Sequence, residues 1–258
     1  MKNNKLMSCT ILMTACIDPS AGKIKVQRSD PEIRLKDYII ALEFWLNIDD
    51  ARLRNIVFVD NSAYPLDSLI ATASKKNKFN KTIEFISLDC NDYPEGVHYG
   101  YGELKMIDSA FNRSKVLHSS SHFLKATGRL TFPDISKLLD YLSADQLFSV
   151  DCRRIPFLEK KYHSFVTTQL MIFSTNFYKE NLIDLKSCLN KKMTHIESIF
   201  FERLIPFDGV DGVMLRWPIN VNPVGEAAHW KKNYSSKKQR FYGIIRGYFR
   251  RLLPFFWI

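Results

Sequence analysis

The sequence predicts an α/β protein with a mostly parallel central sheet flanked by helices. Up to Leu88, short apolar runs rich in β-branched residues alternate with segments of helical periodicity, and polar turns separate them. This alternation is typical of parallel sheets, because a helix carries the chain back to the start of the next strand. The length of 258 residues allows one decorated domain, and we expect it to span residues 1–230, followed by a tail at 231–258.

The first half of the chain contains the clearest elements. A buried strand is predicted where CTILMTACI runs without a charge, and Asp30-Pro31 has the form of a helix N-cap followed by proline at the first helical position. IVFVD and TIEFIS are predicted as two more buried strands. The predicted strands are therefore 9–17, 55–61 and 82–88, and the predicted helices are 31–45 and 66–75.

The second half is less regular. The sequence Tyr99-Gly-Tyr-Gly102 precedes a predicted helix at 103–117, and Gly128 interrupts a strand-like segment at 122–132. Further helices are predicted at 135–142 and 193–204, and further strands at 147–151 and 165–173. Residues 205–230 are rich in glycine, proline and tryptophan and are predicted to be loops.

Charge and cysteine content exclude several classes of protein. Eight of the basic residues follow position 230 and no acid follows Glu226, so the net charge of +10 leaves about +2 on the body. A nearly neutral body argues against a nucleic-acid-binding domain. Five scattered cysteines without a CxxC pair argue against a disulfide framework or a structural zinc site. No signal peptide or spanning apolar run is recognisable, so we expect a cytoplasmic location.

The tail combines positive charge with a helical apolar pattern. Phe241, Ile244, Ile245, Tyr248, Phe249 and Leu252 have the spacing of one helix face, and the arginines fall mostly on the other side. An aromatic end, Phe255-Phe256-Trp257-Ile258, follows Pro254. Basic amphipathic helices of this kind bind membrane surfaces. The alternative is a helix that packs on the body with its basic residues in water.

Polar residues follow each predicted strand, where open α/β sheets bind their ligands. Thr14 and Asp18 follow the first strand, and Asp60, Asn61 and Ser62 follow the second. Asp89, Asn91 and Asp92 follow the third, and Asp151, Arg153 and Arg154 follow the strand at 147–151. These residue types are also common turn formers, so each cluster alone has a structural alternative.

Three further segments carry possible chemistry. Gly100 and Gly102 precede a helix N-terminus, where backbone N–H groups can bind a phosphate. Lys125 and Arg129 flank a glycine and can neutralise a diphosphate. Glu197 lies within an apolar helical stripe, where burial raises the pKa of a carboxylate and makes it a better base. Asp151 and then Glu103 are the alternative candidates for the base. His118 and His122 lack an evident third metal ligand.

Taken together, these segments resemble the small GT-A-type glycosyltransferases of bacterial O-antigen, capsule and lipooligosaccharide biosynthesis. The resemblance covers roughly residues 8–204, through ILMTACIDP, RSDPEIRLKDYIIALEFW, IVFVDNS, YGYGELKMIDSAF, FLKATGRL, Asp151-Cys-Arg153 and IESIFFERL. It implies a GT-A-like fold, a nucleotide-sugar donor and a glycan or lipid-linked glycan acceptor. It also implies nucleotide contacts from Thr14, Arg28, Asn61 and Ser62, and phosphate or sugar contacts from Gly102, Glu103, Lys125, Gly128 and Arg129.

One departure from the family concerns the metal. Many GT-A enzymes hold Mn²⁺ or Mg²⁺ with an Asp-x-Asp sequence, whereas Asp151-Cys152-Arg153 is the nearest form here. Metal dependence therefore stays open: either a divalent metal is held near Asp151, or Lys125, Arg129 and Arg153 supply the positive charge without one. Two other functions stay open at this point. One is a nucleic-acid-binding protein that uses the basic aromatic tail, and the other is an inactive transferase-like partner in surface assembly.

Overall fold

A computed structural model describes residues 7–22, 26–154, 164–189, 195–227, 233–253 and 257. The elements in chain order are β1 (Cys9–Ala15), α1 (Pro31–Leu46), β2 (Asn55–Asp60), α2 (Asp67–Lys76), β3 (Thr82–Ser87), α3 (Gly100–Arg113), α4 (Lys115–Ser119), β4 (His122–Thr127), α5 (Ile135–Leu139), β5 (Phe148–Ser149), β6 (Cys152–Arg154), β7 (Ser164–Val166), β8 (Leu170–Ser174), α6 (Thr175–Asn181), α7 (Ile196–Leu204), β9 (Val213–Met214) and α8 (Lys237–Leu252).

Within the described residues, seven strands form one sheet in the order β3-β2-β1-β4-β8-β5-β9. The first four are parallel, β8 runs antiparallel to both of its neighbours, and β5 pairs in parallel with β9. The predicted α/β fold with a mostly parallel sheet is confirmed. Thr14 lies opposite both Val59 and Thr127, so the carboxyl ends of β1, β2 and β4 meet at one edge.

Alternation along β1 divides the core into two layers. Ile11 and Met13 pack with α1 and α2 on one face, while Leu12 packs with α3 on the other. All three side chains are fully buried, and each contributes about 1.5–3 kcal/mol to folding. The Asp30 side chain accepts hydrogen bonds from the N–H groups of Glu32 and Ile33, which confirms the predicted N-cap of α1.

The predicted single helix at 103–117 is wrong in its limits. The structure has two helices there, because Ser114 is extended and its side chain caps α4 by accepting from the Leu117 N–H at 3.0 Å. The glycines predicted to precede the helix lie inside the first turn of α3. Likewise, the predicted strand 165–173 is two strands, β7 and β8. α7 begins at Ile196, and Met193, predicted as its first residue, lies outside the described residues.

The C-terminal helix α8 packs against the body. Arg250 is buried, and Gly243 approaches the loop before it so closely that a Cβ atom would lie 2.6 Å from the Asn222 side chain. The alternative of a tail helix that packs on the body with its basic residues in water is therefore wrong for Arg250. In the described part of the chain, no helix is both long enough and apolar enough to cross a membrane. Residues 231, 232, 254–256 and 258 of the predicted tail lie outside the described residues.

Candidate functional site

A cavity of about 400 Å³ opens at the carboxyl ends of β1, β2 and β4. We call it the first cavity. It is lined by five of the residues predicted for the nucleotide, phosphate or sugar, namely Thr14, Asn61, Gly102, Glu103 and Arg129, and by the predicted base Glu197. The register of the parallel strands brings these residues together although the chain separates them widely.

Thr14, Glu103 and Lys125 form a connected group beneath this cavity. The Lys125 ammonium is fully buried, lies 2.5 Å from Glu103 Oε1 and donates to the Thr168 carbonyl at 2.6 Å. Thr14 Oγ1 donates to the same Glu103 oxygen at 3.3 Å. Lys125 does not line the cavity. It holds Glu103 in place, so the structure does not bring its charge to a bound phosphate.

The two predicted glycines have different surroundings. A Cβ on Gly128 would lie 2.7 Å from the Thr14 carbonyl oxygen, so glycine lets the turn after β4 lie against β1. Gly128 itself is not part of the cavity wall. Gly102 does line the wall, and a Cβ there would make ordinary contacts of 3.7 Å with Tyr93 and 3.8 Å with Asn61.

Asn61 and Ser62 also separate into two roles. Asn61 is buried and faces the cavity, and its side-chain oxygen has no hydrogen-bond partner among the described residues. Ser62 instead donates to both oxygens of Asp60 and accepts from the Asp18 N–H at 3.0 Å. Ser62 therefore fixes the turn after β2, and Asn61 offers an acceptor to a ligand.

Two predicted arginines lie at the side of the cavity. Arg28 makes a bidentate ion pair with Asp37 at 2.5 and 2.8 Å and also binds Glu226 at 2.7 Å. Arg28 thus links α1 to the segment before α8, and it does not line the cavity. Arg129 is 8% exposed, lines the cavity and donates to the Glu226 carbonyl at 3.1 Å. Burial lowers the pKa of Arg129.

Asp151 lies outside both cavities. It is 1% exposed, and Arg250 Nη2 contacts its two oxygens at 2.6 and 2.8 Å. Arg153 adds contacts at 3.1 and 3.2 Å. The pKa of Asp151 is lowered because the attraction of these guanidinium groups outweighs the effect of burial. As a second candidate base, Asp151 is already enclosed by cations and has no path to an acceptor hydroxyl.

A second cavity, of about 510 Å³, lies between α8 and the β6–β7 pair. Its wall combines aromatic and aliphatic side chains with Arg153 and Arg246. Thr168, Gln169, Glu197 and Tyr234 line both cavities, so the two spaces meet at these four residues.

Glu197 lies at this junction, in the first turn of α7. Ile196, Phe200 and Leu204 of the same helix are buried, as the predicted stripe requires, and Glu202 is exposed on the other side. Thr168 Oγ1 donates to Glu197 Oε1 at 3.5 Å. Burial, and to a lesser extent the charge of Glu103, raises the pKa of Glu197 above its ordinary value. A partly desolvated carboxylate between two cavities is suited to general base catalysis.

Two groups of side chains are candidates for holding a divalent metal. The Asp151-Cys152-Arg153 sequence does not fit, since arginines occupy the Asp151 carboxylate. Among the described residues, one other group has ligand atoms within 4.8 Å of one another, and it comprises His98, His195 and Glu197. His98 Nδ1 accepts from the Gly100 N–H at 3.1 Å. A metal at Nε2 requires the proton on Nδ1, which this contact opposes. The trio does not fit a metal in this geometry.

Sequence reasoning missed several residues of the cavity walls. Arg34 is buried in α1 and donates to the Cys16 carbonyl at 2.7 Å, while Tyr93, Tyr99 and Tyr234 supply aromatic surface. The sequence signals were weak. Tyr99 adjoins the glycine pair that was singled out, but nothing in the spacing of Arg34 or Tyr234 separates them from ordinary surface residues.

No protein-family model matches the chain, and no curated protein sequence matches it. Several solved structures do match the chain. The 4-diphosphocytidyl-2C-methyl-D-erythritol synthase of Anaerococcus prevotii is 8% identical, with a TM-score of 0.47 over 94% of this chain and 97% of that one. Core-mannan synthase A of Aspergillus fumigatus, in a Mn/GDP form, is also 8% identical, with a TM-score of 0.46 over 81% and 71%. An active-site mutant of LgtC is 14% identical, with a TM-score of 0.44 over 78% and 65%. All three TM-scores are below 0.5, so these structural similarities carry no argument about the function of this chain.

Proposed function

We propose that this protein is a glycosyltransferase that moves a sugar from a nucleotide-sugar donor to a surface-glycan acceptor. The observation that carries the proposal is the meeting of two cavities at one desolvated carboxylate, Glu197. A transferase needs a donor space, an acceptor space and a base between them. The acceptor is a glycan or lipid-linked glycan, and the site of action is the inner face of the cell membrane.

The first cavity suits the nucleotide. It lies at the strand ends where open α/β sheets bind nucleotides, and its volume is within the range of small-molecule sites. The buried oxygen of Asn61 can accept a hydrogen bond from a base N–H. Arg129 and Arg34 line the same space and can attract a diphosphate.

Glu197 is the proposed catalytic base. An acceptor hydroxyl in the second cavity gives its proton to Glu197, and its oxygen forms a bond with the anomeric carbon of the donor sugar. The bond from that carbon to the diphosphate oxygen breaks, and the nucleotide leaves with the electron pair. This direct displacement inverts the configuration at the anomeric carbon. Arg129 and Arg34, which line the first cavity, stabilise the negative charge of the leaving diphosphate.

Association with the membrane is proposed through the outer face of α8. Phe241, Ile244, Tyr248 and Leu252 are 60%, 59%, 64% and 74% exposed, and they follow one another at helical spacing. Helix α8 contains no acidic residue, and Lys237 and Lys238 are exposed at its start. An exposed apolar ridge beside cations suits the interface of an anionic leaflet.

The test uses the purified full chain. Thermal shifts with UDP, GDP, CMP and dTDP compounds identify the donor class, because a ligand that binds the native state raises the melting temperature. Hydrolysis of that donor then serves as the transfer reaction with water as acceptor. We expect Glu197→Gln to lower hydrolysis by about 10²–10⁴-fold while the nucleotide-induced thermal shift stays as in the wild type. Glu202→Gln, an exposed neighbour on the same helix, is the matched control.

The pH profile gives a second readout. Because the pKa of Glu197 is raised and the base must be ionised, hydrolysis should fall as the pH drops through a value above the ordinary glutamate range. Two results oppose the proposal. The absence of any nucleotide shift favours an inactive partner, and equal hydrolysis by Glu197→Gln and the wild type removes Glu197 as the base.

A further inference from the structure

The second cavity has an unusual distribution of charge. Arg153, Arg216, Arg246 and Arg250 all interact electrostatically with the single carboxylate of Asp151. Arg250 and Arg153 already occupy the oxygens of that carboxylate. Among the described residues, Arg153 and Arg246 are the two of these arginines that line the second cavity. Glu197 lines it as well, where it meets the first cavity.

Arg246 is the cation that remains available. It lies on the inner face of α8 and lines the second cavity together with Arg153. In the parts of the chain that the structure describes, Arg246 has no hydrogen bond and no ion pair. Burial, with the repulsion of Arg153, lowers the pKa of Arg246 to about 10. Burying an uncompensated guanidinium is unfavourable, so a bound anion would stabilise this arrangement.

One part of the wall is apolar, while threonine, glutamine, asparagine and tyrosine side chains line much of the remainder. Ile245 and Phe249 of α8 line the cavity, and Phe165 of β7 faces the same space. The outer face of α8 carries the exposed ridge described above, so one helix separates a cationic cavity from an apolar surface. An anion with an aliphatic chain fits this cavity, because its head can reach Arg246 while its chain lies against Phe165, Ile245 and Phe249.

We propose that the second cavity binds the phosphate group of a lipid-linked substrate, with Arg246 as its phosphate ligand and the charge of Arg153 beside it. The inference rests on the proposed function, since it assigns this cavity to the acceptor. Phosphate held at Arg246 leaves the space next to Glu197 for the acceptor hydroxyl. Arg246 is a binding residue in this scheme and takes no part in the bond changes.

The experiment measures binding of farnesyl phosphate to the full chain by calorimetry, without vesicles. We expect Arg246→Met to weaken binding about tenfold or more, the loss typical of a charge-assisted hydrogen bond. Arg246→Lys should retain part of the affinity because it keeps the charge. Arg113→Met, an exposed arginine at the end of α3, is the control for the loss of one charge and should bind as the wild type does.

Two further ligands distinguish the sources of affinity. Farnesol tests the chain without the phosphate, and inorganic phosphate tests the anion without the chain. The proposal predicts that both bind more weakly than farnesyl phosphate and that only the two phosphates are affected by Arg246→Met. Equal binding of farnesol and farnesyl phosphate would overturn it, as would unchanged affinity in Arg246→Met.

The failure of this inference can be told apart from the failure of the proposed function. If nucleotides bind and Glu197→Gln loses hydrolysis but Arg246→Met binds farnesyl phosphate normally, the phosphate site is wrong and the transferase stands. If no nucleotide binds but farnesyl phosphate affinity depends on Arg246, the phosphate site stands and the donor assignment is wrong. Melting curves of each variant confirm that it is folded.

Discussion

The ion pair between Asp151 and Arg250 gives the most direct test of how α8 is held on the body. Both side chains are 2% exposed, and Arg250 Nη1 also donates to the Trp217 carbonyl at 2.6 Å. Replacing Arg250 by methionine keeps most of the apolar length and removes the charge. Asp151 then stays buried with Arg153 as its remaining ion-pair partner among the described residues.

The expected loss of stability follows from these contacts. Removing one member of a buried ion pair costs about 3–5 kcal/mol, and the remaining contact with Arg153 places Arg250→Met near the lower end, about 3 kcal/mol. For a chain of this size, each kcal/mol lowers the melting temperature by about 2–4 °C, so the expected shift is about 6–12 °C.

The assay is differential scanning calorimetry of the wild type, Arg250→Met and Arg251→Met. Arg251 is the adjacent, exposed arginine and controls for the charge. The double variant with Asp151→Asn should be less destabilised than the two single variants together, because the unpaired carboxylate is gone. A shift in Arg250→Met no larger than that in Arg251→Met would refute the reasoning and would mean that α8 is not tied to the body through Asp151.

Three further predictions concern other parts of the molecule. Gly128→Ala should destabilise the fold by about 1–3 kcal/mol, since its Cβ meets the Thr14 carbonyl at 2.7 Å, whereas Gly247→Ala, with nothing within 4 Å, should stabilise α8 by about 0.5–1 kcal/mol; urea unfolding measures both, and equal effects would contradict the close packing. Burial lowers the pKa of His122 below 6.5, and its Nε2 lies 2.8 Å from the Gln146 carbonyl. His122 therefore binds a proton less readily in the folded protein than in the unfolded chain. Its contribution to the free energy of unfolding is complete above pH 6.5 and decreases as the pH falls below that value. His122→Gln should flatten this part of the curve of unfolding free energy against pH, and an unchanged slope would remove His122 as the cause. Finally, EDTA should leave the nucleotide-induced thermal shift unchanged, because arginines occupy Asp151 and His98 accepts from Gly100; a requirement for Mn²⁺ that disappears in His195→Ala would instead assign a metal to that trio.

The parallel half of the sheet could be predicted because its signals are local. The apolar runs of β1 and β2 are long and β-branched, and Asp30-Pro31 marks the start of α1 within two residues. The strands β5 and β9 have two residues each in the structure. Elements that short carry little periodicity and their pairing partners lie far along the chain, so β9 is missed although a strand is predicted over β5, and the order of β8, β5 and β9 in the sheet does not follow from the sequence.

The site residues at the ends of parallel strands could be predicted from the sequence. The residues whose positions depend on contacts with distant segments of the chain could not. Thr14 and Asn61 face the first cavity because they end parallel strands. The local sequence around Lys125 does not predict that its ammonium group is buried and donates to the carbonyl of Thr168, 43 positions away. The apolar stripe of α8 is another case. It is wide enough that Ile245 and Phe249 face the body while Ile244 and Tyr248 face outwards, and the spacing alone does not separate the two sets.

Two ion pairs join parts of the chain that are synthesised at very different times. Arg28 binds Glu226, 198 positions later, and Arg250 binds Asp151 across 99 positions. The β1–α1–β2–α2–β3 segment contains its own parallel pairs and can begin to fold as it leaves the ribosome. The second cavity needs α8, so it is assembled only after translation has passed residue 250. Because the first cavity is also lined by Glu226 and Tyr234, both cavities and their junction at Glu197 are completed late, after most of the chain has been synthesised.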